Sequence, residues 1–406
     1  MANGMIQSVL DETIRKCLTL VERAGFESFD PFDALTSPLV YRITRKASIA
    51  QRLAIQINRR SPVNFRPILG IRQKRHPMAL SHMVRAYVLL SQFNRNALYH
   101  KHINDLLDCL QTMAIGRTEQ VGWGLDYPYA TRFARVDANT PNLFTTVNVA
   151  NSFLEAAALF GKHEWIKTAT HAAGFIIEQL GFVEEGDSIW FRYYPGQNIP
   201  VFNVTALMAA FLTRLSSLTH QTFYDSIISR ACLFLAKWQN QDGSWFYARE
   251  RNGEWIDGFH TAYVLQSLRS VYSLRPTSSI QDSLNRGLVF YKAHLLNADG
   301  LPKYYSSSTY PIDSQNCAQA LETLTELSID YPECLDLASK AFITSRKFLF
   351  RDRGDEGYFI LSRGRVLTNR LYSLRWAQAP MIVAMLSLRR AINDTRHSLK
   401  EVNHYD

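Results

Sequence analysis

The chain has 406 residues, of which 47% are hydrophobic and 20% are charged, and its net charge is +9. These proportions indicate a globular protein with ample material for a large core. No stretch approaches the roughly 18 uninterrupted apolar residues of a membrane-spanning helix. Asp11 and Glu12 stand where a signal peptide requires its apolar centre, so we expect no secretion by that route.

The cysteines bear on the cellular compartment. There are five, Cys17, Cys109, Cys232, Cys317 and Cys334, and none forms a CxxC pair. An odd number of cysteines without such pairs is typical of a reducing environment. We therefore expect a cytoplasmic protein, with a peripheral position at the inner membrane as an extension of that expectation.

The N-terminal part differs from the rest of the chain. Residues 5–25 carry apolar side chains at helical spacing and predict a first helix. Prolines at positions 31, 38, 62, 67 and 77 then break any long helix. We expect residues 1–77 to form an N-terminal helix and a basic wrapping segment. Residues 78–406 should form the body, closed by the first helix into a single domain.

Positive charge is concentrated in one part of the sequence. Residues 34–104 contain thirteen Lys or Arg and no Asp or Glu, so the remainder carries −4, the difference between +9 and +13. Such a block favours an acidic polysaccharide, anionic lipid headgroups or nucleic acid. Because no nucleic-acid-binding motif accompanies it, we predict no nucleic acid partner and a peripheral contact with an anionic membrane through residues 42–75. A solvated basic face without a ligand is the alternative.

From residue 78 the apolar spacing becomes regularly helical. The predicted helices are 78–94, 101–114, 144–160, 163–180, 203–218, 222–239, 259–274, 281–296, 314–327, 333–349 and 374–393. The first ten form five hairpins, and the last can pair with the N-terminal helix. Six hairpins predict an all-α fold, an (α/α)6 toroid.

The loops before every second helix are long and aromatic. Their anchors, Trp123, Trp190, Trp245, Tyr304 and Tyr358, are 67, 55, 59 and 54 residues apart, which fits one hairpin of two helices plus a loop. Several of these loops are predicted to contain short β-ribbons, whereas the connections on the opposite side are short. Function is expected on the face that carries the long loops.

The candidate catalytic residues lie in two of these loops and at the helix starts that follow them. Asp257 and Asp313 each precede an inner helix, where they are either N-caps or the general acid and base of an inverting glycoside hydrolase. His260 is one turn further on and is a candidate general base, beside the alternative of a structural histidine. Tyr305 and Tyr310 are candidate proton donors for uronate epimerisation or elimination.

The same loops supply aromatic rings that could stack on sugars, arginines that pair with carboxylates, and polar groups near the helix starts. Packing among the loops themselves is the alternative for any one tyrosine. The predicted substrate-binding residues are Trp123, Asp126, Tyr127, Arg132, Trp190, Arg192, Tyr194, Trp245, Tyr247, Trp255, Lys303, Tyr304, Gln319, Arg370, Arg375, Trp376 and Gln378.

No cofactor and no metal site are predicted from motifs. The sequence contains neither a Walker loop nor a glycine-rich dinucleotide fingerprint after a strand. It also lacks HExxH, a spaced set of Cys and His ligands, and a GxSxG elbow.

Two segments are similar to known helical toroids. FLAKWQNQDGSWFY (234–247) resembles the glutamine–tryptophan repeat of triterpene cyclases, although the acidic DxDD cluster of that family is missing. IDGFHTAYVLQSL (256–268) resembles the segment of protein prenyltransferase β subunits that supplies a zinc-binding histidine, here His260. Their Asp-x-Cys ligands have no counterpart, so the resemblance does not imply zinc.

A third resemblance spans nearly the whole chain. FDPFDAL (29–35), SPVNFRPILGI (61–71), DGSWFY (242–247), WIDGFHTAY (255–263), LPKYYSSSTYPID (301–313) and LRWAQA (374–379) occur in this order. The set is similar to toroidal proteins of bacterial capsule and exopolysaccharide clusters, and it implies a role in polysaccharide biosynthesis. Gln315 stands where the WIDGFH pattern suggests a histidine.

Three functional hypotheses follow. The first is an enzyme that acts on an acidic, uronate-containing cell-surface glycan or its lipid-linked oligosaccharide precursor, by glycoside hydrolysis or by uronate epimerisation or elimination. The second is a non-catalytic module that binds glycan or partner proteins of a polysaccharide assembly machine. The third is a terpenoid cyclase or prenyltransferase, for which an apolar cavity without arginines would be the sign.

Overall fold

The computed structural model describes the backbone of residues 2–402, apart from 45, 46, 95 and 118, and side chains between residues 4 and 395. The described part contains fourteen α-helices. They are α1 (Ala2–Arg23), α2 (Pro38–Thr44), α3 (Ser48–Arg60), α4 (Pro77–Phe93), α5 (Ala97–Thr112), α6 (Leu143–Phe160), α7 (His163–Gly174), α8 (Phe202–Thr219), α9 (Tyr224–Lys237), α10 (Gly258–Leu274), α11 (Ser278–His294), α12 (Ser314–Leu327), α13 (Glu333–Leu349) and α14 (Ala379–Val402).

Six of these helices form a closed inner ring. Helices α4, α6, α8, α10, α12 and α14 each contact the next, and α14 returns to contact α4. Each inner helix also pairs with an outer one: α5, α7, α9, α11 and α13 follow their partners in the chain, and α1 pairs with α14. The predicted (α/α)6 toroid is confirmed, including the hairpin made from the first and last helices.

The inner and outer helices differ in the faces that they bury. Inner helices contact neighbours on all sides, and α14 accordingly buries six consecutive apolar residues from Met381 to Leu386. Outer helices bury one stripe: in α13 Cys334, Ala338, Ala341 and Phe342 face the ring at helical spacing. The inner helix α6 is long and apolar enough to span a membrane, but 72% of it is buried inside the ring.

Short strands occur in the long loops. They are β1 (Ile115–Arg117), β2 (Gln120–Gly122), β3 (Tyr129–Ala130), β4 (Arg135–Val136), β5 (Phe182–Glu185), β6 (Ser188–Phe191), β7 (Ile312–Asp313), β8 (Phe350–Arg353), β9 (Glu356–Phe359), β10 (Ser362–Arg363) and β11 (Thr368–Asn369). Successive strands pair antiparallel as ribbons, except that β10 pairs with both β11 and β7. The long loops lie on one side of the ring, called the loop face below, because the helices of each hairpin alternate in direction.

The segment between α1 and α4 lies over the loop face. Ala34, Leu35 and Ile55 of this segment form a second apolar cluster with loop residues that include Tyr129 and Tyr194. The prolines in this segment border short helices instead of excluding them. Pro38 opens α2, where its missing N–H has no intrahelical acceptor to lose, and α3 ends two residues before Pro62.

Candidate active site

The loop face contains a cavity of about 180 Å³, called the mouth cavity below. Aromatic rings and a few polar groups surround it, as in most small-molecule sites. The helix starts contribute Met78, Asn142, Phe144, Thr145, Asn203, Phe259, His260 and Gln315. The segments between helices contribute Phe32, Leu125, Tyr129, Thr131, Phe133, Tyr193, Tyr194, Gln197, Tyr247, Tyr304, Arg375 and Trp376.

Asp257 holds His260 in place at the start of α10. The carboxylate caps the helix, because its Oδ1 accepts the backbone N–H of His260 at 2.8 Å. Both carboxylate oxygens also lie within 2.9 Å of His260 Nδ1, and Trp255 Nε1 donates to Oδ2 at 2.9 Å. The Asp257 side chain is fully buried, whereas that of His260 is 21% exposed and lines the cavity.

The lowered pKa of Asp257 and the hydrogen bonds of the pair indicate which ring nitrogen of His260 carries a proton. Burial raises the pKa of Asp257, but the His260 ring and the hydrogen bonds from His260 and Trp255 outweigh burial and lower that pKa below its usual value. An ionised carboxylate only accepts hydrogen bonds, so His260 Nδ1 carries a proton. In the neutral ring Nε2 is then the basic nitrogen, and it can exchange a proton with a molecule in the cavity.

A stack of aromatic rings lies next to His260. Tyr247 and Trp255 are nearly parallel with their centroids 4.5 Å apart, and Phe133 continues the stack at 5.8 Å from Tyr247. The His260 ring meets the edge of Tyr247 at 4.5 Å. Arg132 lies over Trp255 at 4.9 Å. Flat aromatic faces beside a histidine form a surface on which a ring-shaped ligand can rest.

Arg59 of α3 lies at the rim of the mouth cavity, beside Trp376 and Phe32. The Arg59 guanidinium lies 4.9 Å from the ring of Trp376 and 5.1 Å from that of Phe32, and both rings line the cavity. The charges of Arg59 and of two further arginines affect the phenol of Tyr305, which is 40% exposed. Burial and the Asp257 carboxylate raise the pKa of its phenol, and Arg59, Arg132 and Arg60 offset this only in part. These three arginines supply the positive charge at the rim.

Arg375 is fixed by a carboxylate from the overlying segment. It pairs bidentately with the fully buried Asp30, at 2.5 and 2.8 Å. Burial raises the pKa of Asp30, but the Arg375 guanidinium outweighs it and holds that pKa well below the usual range. Arg375 and Trp376 lie in a π-helical turn, Leu374–Gln378, at the start of α14. Such turns are often found at functional sites.

Asp313 has a structural environment and does not line the mouth cavity. Its Oδ1 accepts the backbone N–H groups of Gln315 and Asn316 at 3.0 and 3.2 Å, and its Oδ2 accepts Trp376 Nε1 at 3.2 Å. Burial raises its pKa above the usual carboxyl value. The predicted acid–base pair of Asp257 and Asp313 is therefore corrected, because both carboxylates are buried N-caps and neither lines the cavity.

The tryptophan anchors of three loops belong to the core, which corrects their prediction as substrate contacts. Trp123 and Trp245 are almost fully buried, and their indole N–H groups donate to the carbonyls of Leu110 and Leu235 at 2.7 and 2.9 Å. Trp190 is 3% exposed on β6. The rings of Trp123 and Trp245 attach their loops to the ends of the outer helices that precede them.

Three further predicted residues support the loops themselves. Arg192 donates to the carbonyls of Leu180 and Phe182, and Lys303 donates to the carbonyl of Ser306. Gln378 exchanges two hydrogen bonds with the backbone of Phe359 at 2.9 and 2.6 Å. These polar groups satisfy backbone partners, and none of the three residues lines the mouth cavity.

The remaining predicted residues lie away from the cavity. Asp126 forms a surface ion pair with Lys74, Tyr127 is buried against His76, and Arg370 lies near the loop that follows α3. Tyr310 is half-buried against the core before the cis bond to Pro311. Gln319 lines a smaller cavity of about 60 Å³ elsewhere among the inner helices. The predicted residues that do line the mouth cavity are Tyr194, Tyr247, His260, Tyr304, Arg375 and Trp376.

Several cavity residues were not predicted as site residues. Asn203 and Gln315 are each the second residue of an inner helix, and Asn203 Oδ1 is buried without a partner among the described residues. Comparing the starts of the inner helices would have revealed both, since they lie close to the position of His260 in α10. Phe133, Asp30 and Arg59 have no such signal, because loop and long-range contacts bring them to the mouth.

Metal ligands are not clustered in the part of the chain that the structure describes, where no group of three or more His, Cys, Asp and Glu side chains could hold an ion.

The fold and site define an (α/α)6 toroid with a histidine at its mouth. Neither a protein-family model nor a curated protein matches the sequence. Among solved structures, a cellobiose 2-epimerase from Bacillus thermoamylovorans B4167 is similar, with a TM-score of 0.62 and 10% identity over 78% of this chain and 87% of that chain.

Two glycoside hydrolases are also similar. A GH76 α-mannanase of Bacteroides thetaiotaomicron has a TM-score of 0.60 and 13% identity, covering 90% of this chain and 99% of its own. An unsaturated glucuronyl hydrolase specific for heparin has a TM-score of 0.58 and 10% identity, covering 80% of this chain and 89% of its own. At these identities the likeness establishes the toroid fold.

Proposed function

We propose that this protein is a carbohydrate-active enzyme that removes the proton next to the carboxylate of a uronate residue, leading to epimerisation or elimination. The substrate is an acidic cell-surface glycan or its lipid-linked precursor, made in polysaccharide biosynthesis. The observation that carries the proposal is the Asp257–His260 pair, which presents a basic nitrogen beside stacked aromatic rings. The toroids that resemble this chain include a named sugar epimerase and a named glucuronyl hydrolase.

Hydrolysis by paired carboxylates fits the cavity less well. Inverting and retaining glycosidases both place two carboxyl groups on either side of the scissile bond. The described lining of the mouth cavity contains no Asp or Glu, and the two candidate carboxylates serve as helix caps. A histidine base needs no second carboxylate, and uronate chemistry begins with loss of a proton from carbon.

The residues suit each part of that chemistry. His260 Nε2 takes the C5 proton of the uronate, and the bonding electrons move toward the carboxylate, whose charge the arginine-rich rim stabilises. Burial raises the phenol pKa values of Tyr247 and Tyr304, so both remain neutral proton donors. Protonation of C5 from the opposite face gives the epimer, whereas loss of the O4 substituent gives the unsaturated product.

The test measures proton exchange directly. Polyglucuronate and polymannuronate are incubated with the enzyme in D₂O, and deuterium at C5, unsaturation and C5 configuration are followed by NMR and mass spectrometry. A neutral mannan serves as the comparison substrate. We expect deuterium or unsaturation with the uronate polymers and none with the mannan.

The variants assign the reaction to the histidine. His260→Ala should lower the rate at least about 100-fold, the usual contribution of a general base. The matched control His294→Ala removes an exposed histidine of the outer helix α11 and should have no effect. Equal rates for wild type and His260→Ala would contradict the proposal. Tight binding of polymer without any exchange would instead indicate a non-catalytic glycan-binding module.

A further inference from the structure

Helices α2 and α3 and the loop after them expose an unusual number of apolar side chains. Of 21 large apolar residues that are exposed in the described part of the chain, eight fall within residues 39–68. They include Leu39 and Ile43 of α2 and Ile49, Leu53 and Ile57 of α3, each between 58% and 74% exposed. These five residues are called the apolar face below.

The spacing shows that α3 turns its most apolar side toward solvent. Ile49, Leu53 and Ile57 are four residues apart and form one stripe on the helix. Gln51, Ile55 and Asn58 are buried on the opposite side, toward the toroid. A surface helix normally presents polar residues to water once its apolar stripe is buried. In α3 the outward stripe is apolar, whereas two of the three buried residues are polar.

Positive charge lies on the helices of the apolar face and in the chain that follows them. Arg42 and Arg60 are exposed on α2 and α3, and Arg72 and Arg75 are exposed beyond them. The block from residue 34 to 104 contains no Asp or Glu to offset these charges. Arg45, Lys46 and Arg95 of the block lie outside the described residues. An apolar surface next to basic side chains is complementary to lipid acyl chains beneath anionic headgroups.

The apolar face adjoins the rim of the mouth cavity. Arg59, at the end of the same helix, lies over Trp376, which lines the cavity. The backbone carbonyl of Arg59 also accepts Asn369 Nδ2 at 2.6 Å, which fixes the β10–β11 ribbon beside α3. The turn of that ribbon carries Val366 and Leu367, which are 88% and 56% exposed.

We propose that the apolar face docks on a membrane surface rich in anionic lipids, with its side chains at the level between headgroups and acyl chains. A second copy of this chain is a poorer occupant, because a two-fold interface would place the basic side chains of one molecule against those of the other. The docked protein lies with its mouth near the bilayer. Delivery of a lipid-linked glycan to that mouth rests on the proposed function, whereas the docking itself does not.

Vesicle flotation tests the docking with the full chain. Wild type should float with vesicles of phosphatidylglycerol and phosphatidylcholine, and about tenfold less with phosphatidylcholine alone, since both apolar insertion and charge contribute. The variant Ile49→Ser/Leu53→Ser/Ile57→Ser should lose at least about tenfold in binding to the anionic vesicles. Its circular dichroism and melting temperature should match those of wild type, because the three residues are exposed.

A matched control removes equally exposed apolar residues elsewhere. Phe223→Ser/Val289→Ser/Ile329→Ser replaces side chains that are 65% to 69% exposed outside the block and should bind vesicles as wild type does. Failure of wild type to float, or equal flotation of the two triple variants, would overturn the proposal. Wild-type dimers in sedimentation velocity that the apolar-face variant abolishes would also overturn it, because the face would then join two copies.

The result is separable from the proposed reaction. His260→Ala should bind vesicles as wild type does, since the histidine is not part of the apolar face. The apolar-face variant should retain proton exchange on soluble uronate polymers. The apolar-face variant therefore tests the membrane surface alone. His260→Ala tests the reaction alone.

Discussion

Asp257 and Asp313 are in nearly the same local arrangement, yet only Asp257 forms a hydrogen bond with a histidine side chain. Each caps an inner helix and accepts an indole N–H, from Trp255 and Trp376 respectively. The third residue after Asp257 is His260, whereas the third residue after Asp313 is Asn316, so the histidine position predicted at Gln315 is in fact one residue later. The repeated structure therefore carries two caps, of which only the one with an imidazole beside it is suited to proton transfer.

This difference predicts opposite effects of the same substitution. Asp313→Asn should lower proton exchange only a few-fold, because the amide oxygen still accepts the helix N–H groups and only the hydrogen bond from Trp376 Nε1 is lost. Asp257→Asn should lower exchange strongly, because a neutral amide no longer stabilises His260 as it gains a proton. Steady-state rates of both variants on the uronate polymers check the contrast, and a large loss in Asp313→Asn would return that residue to the catalytic set.

The pH dependence of stability provides a second readout for Asp313. Its pKa is raised in the folded protein, so the folded state holds its proton at pH values where the unfolded chain has lost it. The stability contribution of this group is therefore fullest below the usual carboxyl pKa and falls as pH rises through the folded value. Denaturant titrations should show a steeper loss of stability with rising pH in wild type than in Asp313→Asn, because Asp33 and Glu326, whose pKa values are also raised, contribute to both proteins.

At the residue level, the sequence predicted which side chains could transfer a proton better than it predicted which side chains contact the cavity. Asp257 and His260 were found because their spacing at a helix start is local. Trp123 and Trp245 were misjudged because an aromatic residue in an irregular loop has no periodicity that indicates whether it points toward the core or the cavity. Arg59 and Asp30 reach the mouth through contacts with residues more than 300 positions away, and no local pattern reveals such contacts.

Among the elements, the segment over the loop face is attached to the ring by an apolar cluster and by polar contacts. One polar contact is the buried ion pair between Asp30 and Arg375, which joins this segment to the π-helical turn before α14. The helices of the ring were predicted closely because apolar periodicity over three or four turns is a strong signal. Helices α2 and α3 were not, because the prolines at their borders were taken as breakers.

The ion pair between Asp30 and Arg375 predicts that the stability of the fold depends strongly on the contact between the overlying segment and the turn before α14. Asp30→Asn should cost about 3–5 kcal/mol of unfolding free energy, because Arg375 remains buried without its partner. The double variant Asp30→Leu/Arg375→Met removes both charges and should be more stable than Asp30→Asn. Chemical denaturation checks both, and a double variant as unstable as the sum of its single variants would show that the two residues act independently.

At the scale of the whole molecule, a network of charged side chains links the inner helices. It lines the cavity of about 60 Å³ that Gln319 also lines. Arg85 of α4 pairs with Glu155 of α6 at 3.0 Å and with Glu322 of α12 at 2.8 Å, and Arg214 of α8 also pairs with Glu155. Burial raises the pKa of Glu155, but the two arginines outweigh it and lower that pKa below its usual value. Four of the six inner helices are thus linked by charge as well as by packing.

Removal of the central cation should weaken the ring as a unit. Arg85→Met leaves Glu155 and Glu322 with one arginine between them and should lower the unfolding free energy by about 3 kcal/mol, near the lower bound for a broken buried pair. Proton exchange at the mouth should persist at temperatures where the variant is folded. The control Lys101→Met breaks an exposed i,i+4 pair with Asp105 and should cost less than about 1 kcal/mol.

Closure of the ring by its first and last helices has a consequence for biosynthesis of the protein itself. Helix α1 buries Leu10, Ile14, Cys17 and Val21 in the assembled core, and its partner α14 begins more than 350 residues later. On the ribosome, α1 emerges long before α14 exists, and Asp30 likewise precedes Arg375. The nascent chain must therefore keep an apolar helix shielded, by transient contacts or by a chaperone, until translation is almost complete.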